Sequence, residues 1–209
     1  RLQTGIHMKP NREASMLNAR QCVLYSGGAA GTEQFFGALA EGWGIEEVNY
    51  SFEGHQIERK RGVRVLTSEE LALKDVSLAY VSKLMNREYT RAPLFRKVLQ
   101  SICWQVSSGS QVIVVGVIQP DNTVKGGTGW GAEFAKICNK PLIVFDQVRN
   151  NWFVWDKESS WKPVENPVIE QPHFAATGTR FLEDNGRDAI QDLFKRCLLY
   201  TSPSPRDCS

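Results

Sequence analysis

The chain has 209 residues, 42% of them hydrophobic and 23% charged, a balance that fits one globular domain and excludes a largely disordered polymer. Its 25 basic and 23 acidic residues leave a formal charge of +2, too little for the broad positive field that wraps nucleic acid, so nucleic acid is disfavoured as the main partner. No stretch approaches the roughly eighteen uninterrupted apolar residues of a membrane-spanning helix, so no membrane partner is expected.

Residues 1–20 are polar, with no apolar run behind the basic residues. They read as a flexible leader or upstream fragment without a secretory signal, and a cytoplasmic setting follows by default. The expected folded domain covers residues 21–196. It opens with a short strand, Cys22 to Ser26, a glycine turn and a helix from Thr32 to Gly42 carrying Phe35, Phe36 and Leu39 at helical spacing. Glu46 to Phe52 predicts a second strand, followed by a charged, solvated loop over Arg59 to Arg64. After Thr67, Ser68-Glu-Glu-Leu looks like a capped start to one helix through Leu71, Val76, Ala79 and Leu84. Another helix follows Pro93, with Phe95, Val98, Leu99, Ile102 and Val106 on one face. Arg87, Arg91 and Arg96 flank these helices and read as solvated.

Gln111 to Ile118 is the most apolar strand and belongs in a sheet covered on both faces. A polar connection, Gln119 to Lys125, leads to a second glycine turn, Gly126 to Gly131, and a helix over Ala132 to Cys138. Pro141 to Phe145 predicts a buried strand. Trp152 to Asp156 and Trp161 to Val164 suit a small hairpin, Phe174 to Arg180 a third small-residue loop, and Glu183 to Lys195 the last helix. Strands alternating with helices imply an α/β fold, a doubly wound, mainly parallel sheet with a small C-terminal β-hairpin before the last helix. The run CLLYTSPSPRD, Cys197 to Asp207, resembles a translated sequencing adapter. Residues 197–209 are therefore expected to be a non-native or disordered tail, and Pro203 and Pro205 cannot continue a helix.

Cys22, Cys103, Cys138, Cys197 and Cys208 are widely spaced and read as reduced thiols, and His7, His55 and His173 stand alone. No metal or cofactor is expected, and self-association is left open. The chemistry lies in the glycine turns, which fall where open α/β sheets bind ligands, at the carboxyl ends of strands. Ser26-Gly27-Gly28-Ala29-Ala30-Gly31-Thr32-Glu33 can aim backbone N–H groups and a helix dipole at an anion. Gly126-Gly127-Thr128-Gly129-Trp130-Gly131-Ala132-Glu133 repeats the device. A glycine run also serves a tight turn with nothing bound. Neither run ends in Gly-Lys-Ser/Thr or has dinucleotide spacing, which argues against an ordinary ATPase or dehydrogenase.

Together SGGAAG and GGTGWGAE resemble the SLOG superfamily of Rossmann-like proteins, which groups DprA proteins with the LONELY GUY phosphoribohydrolases. The first run resembles the DprA-type SGGAxG. The second resembles PGGxGTxxE, with Gly126, Gly127, Gly129 and Glu133 in register, Lys125 in place of the proline and Trp130 in place of the threonine. The chain is also similar to phage and bacterial proteins sharing YSGGAxG, GGTGW, VFDQ and FAxxGTR, over about Cys22 to Lys195. The resemblance implies a Rossmann-like domain with a nucleotide-type ligand site and states no reaction.

In the hydrolases the glutamate matching Glu133 supports N-glycosidic cleavage around an oxocarbenium-like centre, which makes Glu133 the candidate catalytic residue. Glu133 and Glu33 also sit where an acid stabilises a helix dipole. Asp146, just past a buried strand, can accept hydrogen bonds from ribose hydroxyls or start a turn. Arg180 offers a planar fork for phosphate or caps a turn. Trp130 stacks on a base or packs against Trp152 or Trp155. The leading expectation is binding of a nucleotide or nucleotide-derived small molecule. The alternatives are a phosphoribohydrolase acting on nucleoside monophosphates and DprA-like binding of single-stranded DNA, which the near-neutral charge disfavours.

Overall fold

The computed structural model describes residues 16–158 and 160–199. Strand β1 (Leu17–Asn18) and one 3-10 turn lead to β2 (Val23–Ser26), whose chain crosses through α1 (Thr32–Trp43) to β3 (Glu46–Phe52). The helix ends at Gly44, which takes φ 75° so that its N–H reaches Ala40 O and Glu41 O, a left-handed cap that glycine adopts without steric cost. An edge strand, β4 (Val63–Leu66), follows and begins inside the segment expected to be a charged loop, Arg59 to Arg64. The single expected helix beyond it is two, α2 (Ser68–Ala72) and α3 (Asp75–Met85). A Thr67–Glu70 capping box opens α2. The buried face of α3 is Leu78, Val81 and Met85, while Val76 and Leu84 are exposed.

Helix α4 (Pro93–Ser108) starts on proline, where the missing N–H costs nothing, and leads to β5 (Gln111–Gly116). Then come α5 (Thr128–Ile137), β6 (Leu142–Asp146), and the hairpin β7 (Asn151–Asp156) and β8 (Ser160–Val164). The chain returns as β9 (His173–Gly178), and α6 (Asp184–Cys197) leads to β10 (Leu198–Leu199). The main sheet has the order β4-β3-β2-β9-β5-β6-β7-β8. All strands from β4 to β6 pair in parallel, and β7 and β8 add antiparallel pairs. This is the expected Rossmann-like, doubly wound α/β architecture with its hairpin before the last helix.

Helices cover both faces. Ile113 and Val115 of β5 join Phe36, Phe174, Ile190 and Phe194 on one side, and Val112 and Val114 join Leu78, Leu99, Val106 and Val144 on the other. Burial on two faces explains why β5 reads as a continuous apolar run. The main departure from expectation is β9, which occupies the centre of the sheet although its sequence suggested a loop. Its two alanines and its glycine carry little β-propensity, but small side chains are what the position admits. A Cβ on Gly109 would meet the Ala175 Cβ at 2.9 Å.

The packed domain also extends past both expected limits. Ala19 is buried, and β1 pairs in parallel with β10. Cys197 and Leu198 are 3% and 2% exposed, and the Ile169 N–H donates to Cys197 Sγ at 3.0 Å. The first two residues assigned to the tail are therefore core, while residues 200–209 lie outside the described residues, as do 1–15. Among the described residues, no helix is long and apolar enough to cross a membrane.

Candidate functional site at the carboxyl edge of the sheet

Strands β2, β9, β5 and β6 are neighbours, so the loops leaving their carboxyl ends share one edge of the sheet. The chain runs outward from β2 in one direction and from β5 in the other, which makes this edge the switch point where α/β folds bind ligands. Both glycine runs, Asp146 and Arg180 are on it.

The first glycine loop is stitched to its surroundings. Ser26 Oγ donates to Ala176 O at 2.7 Å, and Thr32 donates to Thr179 O through its N–H at 3.1 Å and its hydroxyl at 2.7 Å. Gly28 (φ 69°) accepts from the N–H groups of Glu58 and Arg59, and a Cβ there would lie 2.6 Å from Arg59 O. Gly31 (φ 86°) lies so close to the Arg180 backbone that any side chain would collide with it. These glycines are required by positive φ and close approach, whatever binds.

Glu33 turns back from α1 into the same loop. One carboxylate oxygen accepts the Ala29 N–H at 3.0 Å, and the other accepts the Thr177 hydroxyl at 2.8 Å. The Gln105 amide completes the cluster: oriented to satisfy both neighbours, its nitrogen donates to Glu33 at 3.2 Å and its oxygen accepts from the Gly27 N–H at 3.3 Å. A Cβ on Gly27 would come 2.7 Å from Glu33 Oε2. The residue is 5% exposed. Burial pushes its carboxyl above the usual glutamate range, and the bonds from Ala29, Thr177, Gln105 and Gly27 hold it back.

The second loop is held by an arginine. Arg87, at the end of α3, donates to Gln119 Oε1 at 2.6 Å, Thr123 Oγ1 at 2.9 Å, Val124 O at 3.1 Å and Gly126 O at 3.1 Å. It is a strut and not the solvated arginine the sequence suggested. Gly126 takes φ 74°, and α5 begins inside the glycine run at Thr128. Gly129 leaves no room for a side chain against Val124 O, and a Cβ on Gly131 would meet Ile102 at 2.7 Å. Gly127 differs. Its Cβ would meet only the Phe95 ring, at 3.5 Å, and it lines an open cleft of about 390 Å³ with Arg87, Glu88, Phe95, Gln119, Gly126 and Trp130.

Trp130 is 3% exposed and packs against Tyr89 with ring centroids 5.9 Å apart, so its neighbour is neither Trp152 nor Trp155. Glu133 pairs with Lys136 at 3.0 Å, and that ammonium lies 3.7 Å from the Trp155 ring centroid and donates to Asn122 O. Burial lowers the Lys136 pKa, opposed by Glu133. Asp146 has a side chain 1% exposed and accepts the N–H groups of Ile118, Val148 and Arg149, each at 2.9 Å. It is a turn former that ties the β5 and β6 loops together. Gln147 spans to the start of α6, donating to Phe181 O at 3.2 Å and accepting from the Glu183 N–H at 2.8 Å. Arg180 is exposed, stacks on Phe181 at 5.0 Å and has no ion pair among the described residues.

The chain matches no family model, no curated protein and no solved structure. The site therefore rests on its own geometry. A larger cleft of about 510 Å³, between the β7–β8 hairpin and α6, is lined by Asp188, Asp192 and Arg196 and includes no glycine-loop residue.

Sequence reasoning missed Arg87, Gln105, Thr177 and Gln147. Each reaches the site from an element distant in sequence; Arg87 and Gln105 fall in no motif, and Thr177 holds a variable position of FAxxGTR. Only Gln147 carried a signal, through VFDQ. The partners of the buried Glu47, Arg59 at 2.6 Å and Arg61 at 2.8 Å, were likewise hidden in the charged run Arg59 to Arg64.

Proposed function

We propose that the protein binds a nucleotide or nucleotide-derived small molecule over the carboxyl ends of β2, β9 and β5. The observation that carries this reading is the convergence of both glycine loops, with the unpaired Arg180 beside the first, at the switch point of the sheet. Arg180 supplies a permanent positive charge, and the cleft at Gly126 and Gly127 has the apolar wall of Phe95 and polar groups of Gln119 that such ligands need. The motif resemblance to SLOG proteins points the same way, and a cytoplasmic setting suits it. The phosphoribohydrolase alternative draws less support, because Glu133 is held by Lys136 beneath the tryptophan hairpin.

The test is a thermal-shift panel of nucleotides, nucleotide sugars and cyclic nucleotides, since a ligand binding only the folded state raises its melting temperature by mass action. Gly127→Val and Arg180→Ala, both at positions with room for the change, should keep the unliganded melting temperature and lose the shift. A panel that shifts nothing in the unmutated protein overturns the proposal.

A further inference from the structure

We infer that Glu33 fills the anion cradle of the first glycine loop with its own carboxyl group, so that this loop excludes the phosphate of a nucleotide. The inference rests on the nucleotide-binding reading and makes Glu33 a residue that sets ligand orientation.

A glycine loop opening a helix attracts phosphate because its N–H groups are free and the helix dipole is uncompensated. In this loop two of those N–H groups are already taken. The Ala29 N–H is bonded to Glu33 at 3.0 Å, and the Gly27 N–H is taken by Gln105, the amide that also holds Glu33. The negative charge at the start of α1 is already supplied from within. The groups bonded to that carboxylate are backbone, hydroxyl and amide, from Ala29, Thr177 and Gln105. No lysine or arginine forms an ion pair with it among the described residues. Burial raises its pKa, and once ionised it has no cation to neutralise it among the described residues, so a phosphate at the same loop would meet a like charge in a poorly solvated place. Glutamine at 33 would have kept the shape without that repulsion. The anionic end of the ligand is left to Arg180 and to the open Gly126–Gly127 loop, where the α5 dipole has no acid in its first turn.

The probes are inorganic phosphate, the common nucleosides and their 5′-monophosphates, titrated into the full chain and into Glu33→Ala. In the unmutated protein the amide resonances of Gly27 and Ala29 should stay in place as inorganic phosphate is added. In Glu33→Ala they should move, and affinity for a monophosphate relative to its nucleoside should rise at least about tenfold as charge repulsion is removed. Glu33→Gln, which keeps the shape, should change that ratio in the same direction, and it decides the matter if the alanine variant does not fold. A ratio unchanged in the variants, or Gly27 and Ala29 resonances that follow phosphate in the unmutated protein, overturns the inference and leaves nucleotide binding standing. Absence of binding by every nucleoside and monophosphate overturns nucleotide binding and this inference with it.

Discussion

Asp146→Asn separates a structural carboxylate from a ligand-binding one. The exchange keeps shape and volume, so its cost comes from charge and hydrogen bonding alone. The carboxylate accepts three backbone N–H groups, two on one oxygen and one on the other. An asparagine that keeps its oxygen toward Val148 and Arg149 turns its NH2 toward the Ile118 N–H, leaving a buried donor unsatisfied and facing another donor. Losing that charge-assisted bond costs about 1.5–3 kcal/mol, and weakening the other two from charged to neutral adds about 1–2 kcal/mol. The Arg149 contact adds little, since that side chain is 47% exposed. The total of about 2.5–5 kcal/mol corresponds to a drop in melting temperature of about 5–20 °C for a domain of this size. Differential scanning calorimetry measures it directly. Nucleotide affinity per folded molecule, measured well below the melting temperature, should stay within about threefold, because the carboxylate is spent on the β5 and β6 loops. A variant with unchanged melting temperature and abolished binding would refute the reasoning and return Asp146 to the ligand.

Four further outcomes follow from the same structure. Gly37→Ala should cost about 3–5 kcal/mol in urea unfolding, because its Cβ would collide with the Arg59 side chain and push it off the fully buried Glu47; stability within error of the parent would show that Arg59 is dispensable there. Leu198→Ala should cost about 2–5 kcal/mol by leaving a cavity in the core, whereas a silent substitution would place Leu198 with the tail. Glu33 has a folded pKa raised above its ordinary 4.5, so its contribution to stability is fully present below the unfolded value and is lost as pH rises through the folded one. Glu33→Gln should therefore gain melting temperature relative to the parent as pH rises above the ordinary glutamate value of 4.5, and parallel curves would count against a buried charge. In a Cys208→Ser background, a thiol reagent should label the exposed Cys138 in the folded protein, while burial keeps Cys22, Cys103 and Cys197 unreactive until unfolding; early labelling of Cys103 would contradict the packing.

The amino-acid sequence alone determined the layered α/β architecture, because strands buried on both faces must be written as unbroken apolar runs and their crossover helices as 3.6-residue patterns. Gln111–Gly116, Leu142–Asp146 and the helix after Thr32 were legible for that reason. So were the two glycine loops, since positive φ at Gly28, Gly31 and Gly126 leaves a direct mark on residue choice. Tertiary structure decided what those loops do. Whether the N–H groups of Gly27 and Ala29 await a ligand depends on Gln105, 78 positions from Gly27, and on Thr177, whose separation from Glu33 is 144. Residues so far apart leave no local pattern. The same holds for β9, composed of small residues because β5 and the turn after α4 crowd it, and for Asp146, where only the fold shows three backbone donors already converging on a carboxylate. Local sequence records what each backbone segment must adopt, whereas the partners of a buried polar group are set by which distant segments the sheet order brings beside it.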